Sequence, residues 1–298
     1  MADQHKVAVA VVGLGNMGLG MARSLLGKDF AVAGFDVSAE RCALAAEAGV
    51  AVAPDLASLA KQASIMLLSL PMAKHVAATV QGADGLLAHA LPGSVIIDTS
   101  TSEVETSRQL AGLCAARGLG FLDAPVSGGP AGAAGGTLAI MIGGEADHLA
   151  AARPVLDAIG TRVLHVGASG AGNVAKLVNN LLVAAHLLTV SEAMRLSEAA
   201  GVPTADVLKV VNAASGRSAV SEVNYPRWIA SGSFDSGFTM GLMRKDVGLA
   251  AALAADLGVA LPMSELAASL WRASAAQLAD GEDFNRIATL TPESGPHP

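Results

Sequence analysis

The sequence predicts an α/β fold, with a doubly wound, mostly parallel sheet in the first half of the chain and an all-helical second half. From residue 7 to about 166, short β-branched runs alternate with alanine-rich helical stretches, which is the pattern of parallel strands joined by crossover helices. A glycine-rich turn follows the first of these runs. Beyond Gly170 the strand signals nearly vanish and long helical patterns replace them. We therefore predict two domains, residues 1–166 and residues 167–298.

The individual elements follow from the same alternation. Strands are predicted at residues 7–12, 31–36, 64–70, 94–98, 120–123, 138–143 and 162–166. Helices of the first domain are predicted at residues 17–27, 40–48, 103–117 and 145–159. The second domain is predicted to hold helices at residues 173–200, 204–214, 240–257 and 263–278. The tail at residues 291–298 is expected to fray.

Composition limits the classes of partner. The 298 residues are 52% hydrophobic, which is ample for a sizeable core. A net charge of −7 provides no basic face for nucleic acid or anionic lipid. Cys42 and Cys114 have no metal-ligand spacing, and the seven histidines are scattered. We therefore predict two reduced packing cysteines, no metal site and no nucleic-acid partner.

The apolar segments of the sequence indicate where in the cell the protein is expected. The N-terminus lacks the basic block, apolar block and cleavage site of a secretory signal, in that order. The apolar run at residues 181–190 follows two asparagines and is interrupted by His186, so it is expected to be too short and too polar to span a bilayer. The expectation is a cytoplasmic protein without a membrane segment.

The glycine-rich turn predicts a dinucleotide site. Its residues are Gly13, Leu14, Gly15, Asn16, Met17 and Gly18. In a Gly-x-Gly-x-x-Gly between a strand and a helix, Gly13 makes the tight turn, Gly15 admits the pyrophosphate and Gly18 lets helix and strand pack closely. The helix N-terminus then faces the phosphates. The first domain is thus predicted to be a Rossmann-type domain.

The next predicted strand ends at Asp36, 23 residues after Gly13. A carboxylate there accepts hydrogen bonds from the ribose hydroxyls and repels a 2′-phosphate, so it favours NAD over NADP. Arg41 lies five residues further on and would soften that preference, leaving NADP as the weaker alternative. An ordinary strand-end turn residue is the other interpretation of Asp36.

Two polar loops follow later strands, one containing Leu70 and Pro71 and the other containing Thr101. The carboxyl ends of parallel strands are where open α/β sheets bind ligands. The second loop has an equally good alternative, in which Thr101 or Ser102 is simply the N-cap of the next helix.

A single lysine, Lys176, begins the long apolar helical pattern of the second domain, and Asn180 follows four residues later. At that spacing the two side chains share a helix face. A lysine on a buried helix is paired or held neutral, which makes it a candidate proton carrier. The alternative is a packed stem with its ammonium in solvent.

Four segments together resemble the β-hydroxyacid dehydrogenase family. They are Gly13-Leu-Gly-Asn-Met-Gly18, Asp123-Ala-Pro-Val-Ser127-Gly128-Gly129, the glycine-lysine-asparagine run at residues 167–180, and Phe238-Thr-Met-Gly-Leu-Met-Arg-Lys245-Asp246-Val-Gly-Leu. The similarity spans roughly residues 6–290. Four ordered motifs over that length make coincidence an inadequate explanation.

The resemblance implies a role for each matching residue. It makes Lys176 the catalytic lysine, with Asn180 positioning the substrate and the lysine. It places the substrate carboxylate on Ser127, Gly128 and Gly129. Lys245, with Asp246, would close the pocket near the nicotinamide. Leu70, Pro71 and Thr101 would contact the cofactor, along with the glycine loop and Asp36.

The resemblance also implies an activity, namely NAD-dependent interconversion of a small 3-hydroxy carboxylate and its semialdehyde. Alternatives are a tartronate semialdehyde reductase, an imine reductase or a non-catalytic NAD-binding scaffold. Imine reductases replace the lysine with another acid, so Lys176 argues against that alternative. The apolar helices of the second domain exceed what about 130 residues readily bury, so we expect a homodimer or homotetramer.

Overall fold

The chain divides into two compact units, Met1–Lys176 and Leu177–Pro298. The computed structural model describes residues 8–290. The expected fraying at residues 291–298 and the first residue of the predicted strand at 7–12 lie outside the described residues. Each unit has its own hydrophobic core, and each is described separately below.

A nine-stranded sheet forms the centre of the first unit. Its strands are β1 (Ala8–Val12), β2 (Ala31–Phe35), β3 (Ala51–Val52), β4 (Ile65–Leu68), β5 (Val95–Asp98), β6 (Gly120–Asp123), β7 (Val126–Ser127), β8 (Leu138–Gly143) and β9 (Gly160–Gly167). The spatial order is β3-β2-β1-β4-β5-β6-β8-β7, with β9 also paired to β8. Strands β1 to β6 are parallel, and β8 runs antiparallel to β6 and β7. The order reverses between β1 and β4, which is the switch point at which open α/β sheets bind ligands.

Helices cover both faces of this sheet. They are α1 (Asn16–Leu26), α2 (Ala39–Glu47), α3 (Leu56–Ala60), α4 (Ala73–Gln81), α5 (Leu86–His89), α6 (Val104–Ala115), α7 (Gly129–Gly135) and α8 (Ala146–Ile159). Strand β1 shows why both faces need a cover: Val9 and Val11 pack into one core cluster, whereas Ala10 and Val12 pack into another. Alternate side chains of a strand point to opposite faces, so the strand reads as a continuous apolar run.

The predicted α/β fold class is confirmed. All seven predicted strands are present, with bounds that shift by up to two residues. Strands β3 and β7 were not predicted, because each has only two residues, which is too short for a period of two to be visible. Four further helices, α3, α4, α5 and α7, lie outside the helical stretches named from the sequence.

The second unit is helical. It contains most of α9 (Ala171–Ala199), followed by α10 (Thr204–Ala213), α11 (Met240–Asp256) and α12 (Pro262–Ala273). A π-helix at Val220–Ile229 and two short 3-10 helices, Ser274–Ala276 and Phe284–Thr289, complete it. Trp271 is fully buried in its core, and the indole N–H donates to the Ala184 carbonyl at 3.1 Å. The helix predicted at residues 263–278 ends earlier than expected, at Ala273, and a 3-10 turn at Ser274–Ala276 follows it.

Helix α9 is 29 residues long, and by length and composition it could cross a membrane. The expectation that its apolar run is too short for this is therefore wrong, because that run lies within a longer helix. Core helices of soluble proteins pass the same test, so the finding is weak evidence for a membrane span. One end of the helix also holds three buried polar residues, Asn173, Lys176 and Asn180.

Candidate active site

The carboxyl ends of the parallel strands meet at one edge of the sheet. The glycine loop follows β1, Asp36 follows β2, Leu70 lies just beyond β4, Thr101 just beyond β5, and Asp123 ends β6. Parallel pairing with direct register brings these strand ends side by side. The structure thus gathers the residues predicted to contact the cofactor at the edge where a ligand is expected.

The glycine loop has the geometry that a dinucleotide requires. Gly13 has a φ of +88°, a conformation that favours glycine, and its N–H donates to the Phe35 carbonyl at 2.9 Å. A Cβ atom on Gly13 would overlap the Ser69 carbonyl oxygen, and one on Gly18 would overlap the Gly13 carbonyl oxygen. A Cβ on Gly15, in contrast, would meet nothing within 4 Å. Gly15 therefore borders an open cradle that any side chain would fill.

Helix α1 begins directly after this cradle, at Asn16, and Gly15 is its N-cap without a side chain to accept from the first turn. Uncapped N–H groups at a helix start attract anions, so the cradle fits a pyrophosphate. Met17 is half-buried, Leu14 is fully buried and Asn16 is exposed. The loop is thus anchored by Leu14 and open to solvent at Asn16.

Asp36 is tied to the glycine loop. Its Oδ2 accepts the Leu14 N–H at 2.6 Å, and its Oδ1 accepts the Ser38 N–H at 2.9 Å. Each carboxylate oxygen has a further lone pair for a ribose hydroxyl. Arg41 lies on the same side, with its Nη1 3.3 Å from Asn16 Oδ1. A guanidinium beside the loop is compatible with some tolerance of a 2′-phosphate.

The polar loops after β4 and β5 are joined to each other. The Leu70 N–H donates to Ser100 Oγ at 3.0 Å, and Thr99 Oγ1 donates to the Leu68 carbonyl at 2.6 Å. Helix α6 has Glu103 as its N-cap, without a side-chain cap bond. The alternative in which Thr101 or Ser102 caps this helix is therefore wrong. Pro71 is exposed and Thr101 half-buried.

The predicted carboxylate-binding segment lies between β7 and α7. Ser127 ends β7 and is half-buried. Gly128 and Gly129 have φ values of +133° and +63°, and α7 begins at Gly129 with Gly128 as its N-cap. Two consecutive glycines with positive φ at the start of a helix fit a backbone concavity of the kind that binds anions.

Lys176 lies in the second turn of α9 and is buried, with 6% of its surface exposed. Asn173, one turn earlier, is completely buried, and Asn180, one turn later, is 4% exposed. Residues at these spacings share a helix face. The lysine therefore lies in a buried polar stripe on one face of the first turns of the helix.

Within the second unit, Asn180 meets the Lys-Asp pair of α11. Asn180 Nδ2 donates to Asp246 Oδ2 at 2.6 Å, and Asn179 Nδ2 donates to Asn180 Oδ1 at 3.0 Å. Lys245 Nζ lies 3.2 Å from Asp246 Oδ1, an ion pair that is not aligned as a hydrogen bond. Asp246 fixes the Asn180 amide and lies against the Lys245 ammonium, so three residues of the family motifs form one cluster.

A buried polar cluster at the start of α9 was not predicted; it consists of Asp98, Ser102, Ser107, Asp123 and Asn173. Burial raises the pKa of Asp98 to about 6, and burial also raises the pKa of Asp123. These two carboxyls end neighbouring strands in direct register. In the sequence, the only indication of this cluster is that two consecutive predicted strands each end in an aspartate. In the part of the chain that the structure describes, no group of three metal-ligating side chains occurs.

Comparison with known proteins covers nearly the whole chain. A family model described as the NAD binding domain of 6-phosphogluconate dehydrogenase matches residues 8–167. A second model, described as the NAD-binding region of NADP-dependent 3-hydroxyisobutyrate dehydrogenase, matches residues 170–291.

Two relatives come from Pseudomonas aeruginosa. NAD-dependent L-serine dehydrogenase is 37% identical, and the match covers 95% of this chain and 97% of that one. 3-Hydroxyisobutyrate dehydrogenase is 38% identical, with the same coverage of 95% and 97%. The solved structure of Mycobacterium tuberculosis 3-hydroxyisobutyrate dehydrogenase with L-serine has a TM-score of 0.88 and 35% identity, and it covers 95% of this chain and 98% of that one. The chain therefore belongs to the β-hydroxyacid dehydrogenase family, as an NAD-dependent oxidoreductase that acts on CH–OH groups.

Proposed function

We propose that this enzyme oxidises a small 3-hydroxy carboxylate, of the size of 3-hydroxyisobutyrate or L-serine, to the corresponding semialdehyde, and catalyses the reverse reduction. The observation that supports this most strongly is the buried Lys176 between two buried asparagines on α9. Two 37–38% identical relatives act on these two substrates by name.

In the proposed mechanism, NAD is the hydride acceptor when it is bound. The glycine loop would hold its pyrophosphate at the start of α1, and Asp36 would hold its ribose hydroxyls. Neutral Lys176 would accept the hydroxyl proton at Nζ during oxidation, and the ammonium would return it during reduction. The backbone at Gly128 and Gly129 would bind the substrate carboxylate and so orient the hydroxyl.

The names of the relatives support a short hydroxy acid as the substrate, but not a single one. L-Serine and 3-hydroxyisobutyrate share the carboxylate and the β-hydroxyl and differ in an ammonium against a methyl group. A site that hydrogen-bonds the ammonium would discriminate strongly against the methyl group, whereas a difference of one methylene is worth only about 1–3 kcal/mol. Tartronate semialdehyde with glycerate, 3-hydroxypropionate and L-threonate therefore belong in the same panel.

The experiment is an NADH absorbance assay over that panel, with each acid ranked by kcat/KM. Oxidation of one or more of these acids, lost in Lys176→Met and retained in Lys209→Met, is the expected result. Lys209 is the matched control because its side chain is 77% exposed. The proposal would be refuted if no acid of the panel were oxidised, or if Lys176→Met were as active as Lys209→Met.

We also propose that the enzyme is a homo-oligomer. On α12, Met263, Leu266 and Leu270 are 73%, 54% and 41% exposed, respectively. They recur at the spacing of one helix face, so they form an apolar stripe open to a second copy. Sedimentation of Leu266→Glu should show a smaller species than the wild type, and a wild type that sediments as a 29.6 kDa monomer would contradict the proposal.

A further inference from the structure

The first turn of α9 is held by a carboxylate from the sheet. Asp123, at the end of β6, is completely buried. Its Oδ1 accepts the Gly170 N–H at 2.7 Å, and its Oδ2 accepts the Asn173 N–H at 2.9 Å. Both bonds go to backbone N–H groups that a helix start would otherwise leave unsatisfied. Asp123 lies on β6, far in sequence from α9, and its two hydrogen bonds hold the start of that helix.

The Asn173 side chain adds two hydrogen bonds at the start of α9. Its Oδ1 accepts the Ser102 N–H at 3.0 Å, and its Nδ2 donates to Ser107 Oγ at 2.9 Å. Ser102 Oγ in turn lies 3.4 Å from Asp98 Oδ2. One fully buried asparagine therefore connects α9 to the loop after β5 and to α6.

Close packing against the sheet leaves the start of α9 little room to move. A Cβ atom on Gly172 would overlap the carbonyl oxygens of Asp123 and Met141. A Cβ on Gly143 would come within 2.8 Å of the Ala171 nitrogen. The helix backbone thus lies directly on the ends of β6 and β8, without side chains between them. Hydrogen bonds in such a site are directional constraints, because the helix cannot rotate without breaking them.

We infer that Asn173, together with Asp123, is a positioning residue for Lys176, and that it sets where the lysine lies relative to the strand ends that would hold the cofactor. Lys176 is one turn after Asn173, so its Cα moves with the first turn of α9. This inference rests on the proposed function, since positioning matters only if Lys176 moves the proton. An error of about 1 Å in such a group can cost about 100-fold in rate.

The kinetic test compares Asn173→Ala with the wild type on the best acid of the panel. We expect kcat to fall 10- to 100-fold, while KM for NAD changes less than twofold. Asn173→Asp should restore at least part of kcat, because the Ser107 hydroxyl can reverse and donate to the new oxygen. Ser24→Ala is the control for the loss of a buried hydrogen bond elsewhere in the same unit, since Ser24 Oγ donates to the Ala158 carbonyl at 2.7 Å. It should keep the wild-type kcat.

A second readout needs no turnover. Acylation with a lysine-selective reagent, followed by mass spectrometry, measures how fast each lysine reacts. Asn173→Ala should raise the rate at Lys176 at least fivefold. Hydrogen exchange of peptides covering β1 and β4, measured on the same variant, should not change, whereas general loosening of the unit would raise both the exchange and the labelling rate.

The two readouts separate the possible failures. If the wild type oxidises no acid of the panel, the proposed function fails, and the labelling of Lys176 still decides the inference. If the wild type is active but Asn173→Ala matches Ser24→Ala in kcat and leaves Lys176 labelling unchanged, the inference is overturned and the proposed function stands. Faster labelling of Lys176 together with faster hydrogen exchange of β1 and β4 would also overturn it, because the two changes would indicate a merely structural role.

Discussion

Asp98, at the end of β5, is completely buried, and burial raises the pKa of its carboxyl from 3.8 to about 6, with nearby Asp123 adding to the effect. A folded state that holds a proton which the unfolded chain has released loses stability as pH rises between the two pKa values. The loss is nearly complete by about pH 7, one unit above the folded-state pKa. At 1.36 kcal/mol per pKa unit it amounts to about 3 kcal/mol.

Asp98→Asn removes this titration while keeping the local geometry. The amide oxygen can accept the Ser100 N–H, which Asp98 Oδ1 accepts at 3.0 Å, and the amide nitrogen can donate to Ser102 Oγ. We therefore expect the variant to gain stability relative to the wild type as pH rises. Integration of the linkage relation gives a relative gain of about 2 kcal/mol between pH 4.5 and 7.5.

The assay must report on the first unit. Both tryptophans, Trp228 and Trp271, lie in the second unit, so their fluorescence is the wrong signal. Hydrogen exchange of peptides covering β5, measured across a urea series at each pH, follows the opening of the sheet. Ser24→Ala serves as a control, because its difference from the wild type should not vary with pH. A difference between Asp98→Asn and the wild type that stays constant from pH 4.5 to 7.5 would refute the reasoning.

Three further predictions concern the active site. Lys176→Ala should lower kcat by roughly 10²–10⁴-fold while the Kd for NAD, measured by calorimetry, stays within twofold; a comparable loss of NAD affinity would contradict the assignment. Asp36→Ser should narrow the preference for NAD over NADP in initial rates at equal subsaturating cofactor, and a wild type that prefers NADP would show that Asp36 has been misread. Methyl esters of the preferred acid should lose most of the activity, because they lack the charge that Gly128 and Gly129 would bind, and equal turnover of ester and acid would exclude this carboxylate site.

Local sequence was sufficient where the structure itself is local. The tight turn at Gly13 and the open cradle at Gly15 follow from a six-residue spacing between a strand and a helix. The bonds between Asp36 and the loop follow from strand order, because β1 and β2 are neighbours in register. These features were predictable since each needs only one strand, one turn and the next strand.

The cluster around Asn173 was not predictable in the same way. Ser102 and Ser107 precede Asn173 by 71 and 66 residues, and neither has a neighbour in sequence that marks it as a partner. Ser102 instead resembles an N-cap residue, which is the interpretation that the structure overturns. A hydrogen-bonding residue that caps a helix and one that bonds a distant asparagine look alike in sequence, because both follow a strand and precede a helix.

A buried lysine likewise indicates a catalytic role only when its neighbours in the structure are known. Lys176 alone was equally compatible with a packed stem, since lysines at helix starts often keep the ammonium in solvent. Polar groups inside a core are retained only when they are satisfied, and Asn173 and Asn180 are each buried with bonded side chains. Stability alone would favour apolar residues at both positions. Two satisfied asparagines on either side of one buried lysine, on the same helix face, are therefore better explained by the placement of that lysine than by the packing of the helix.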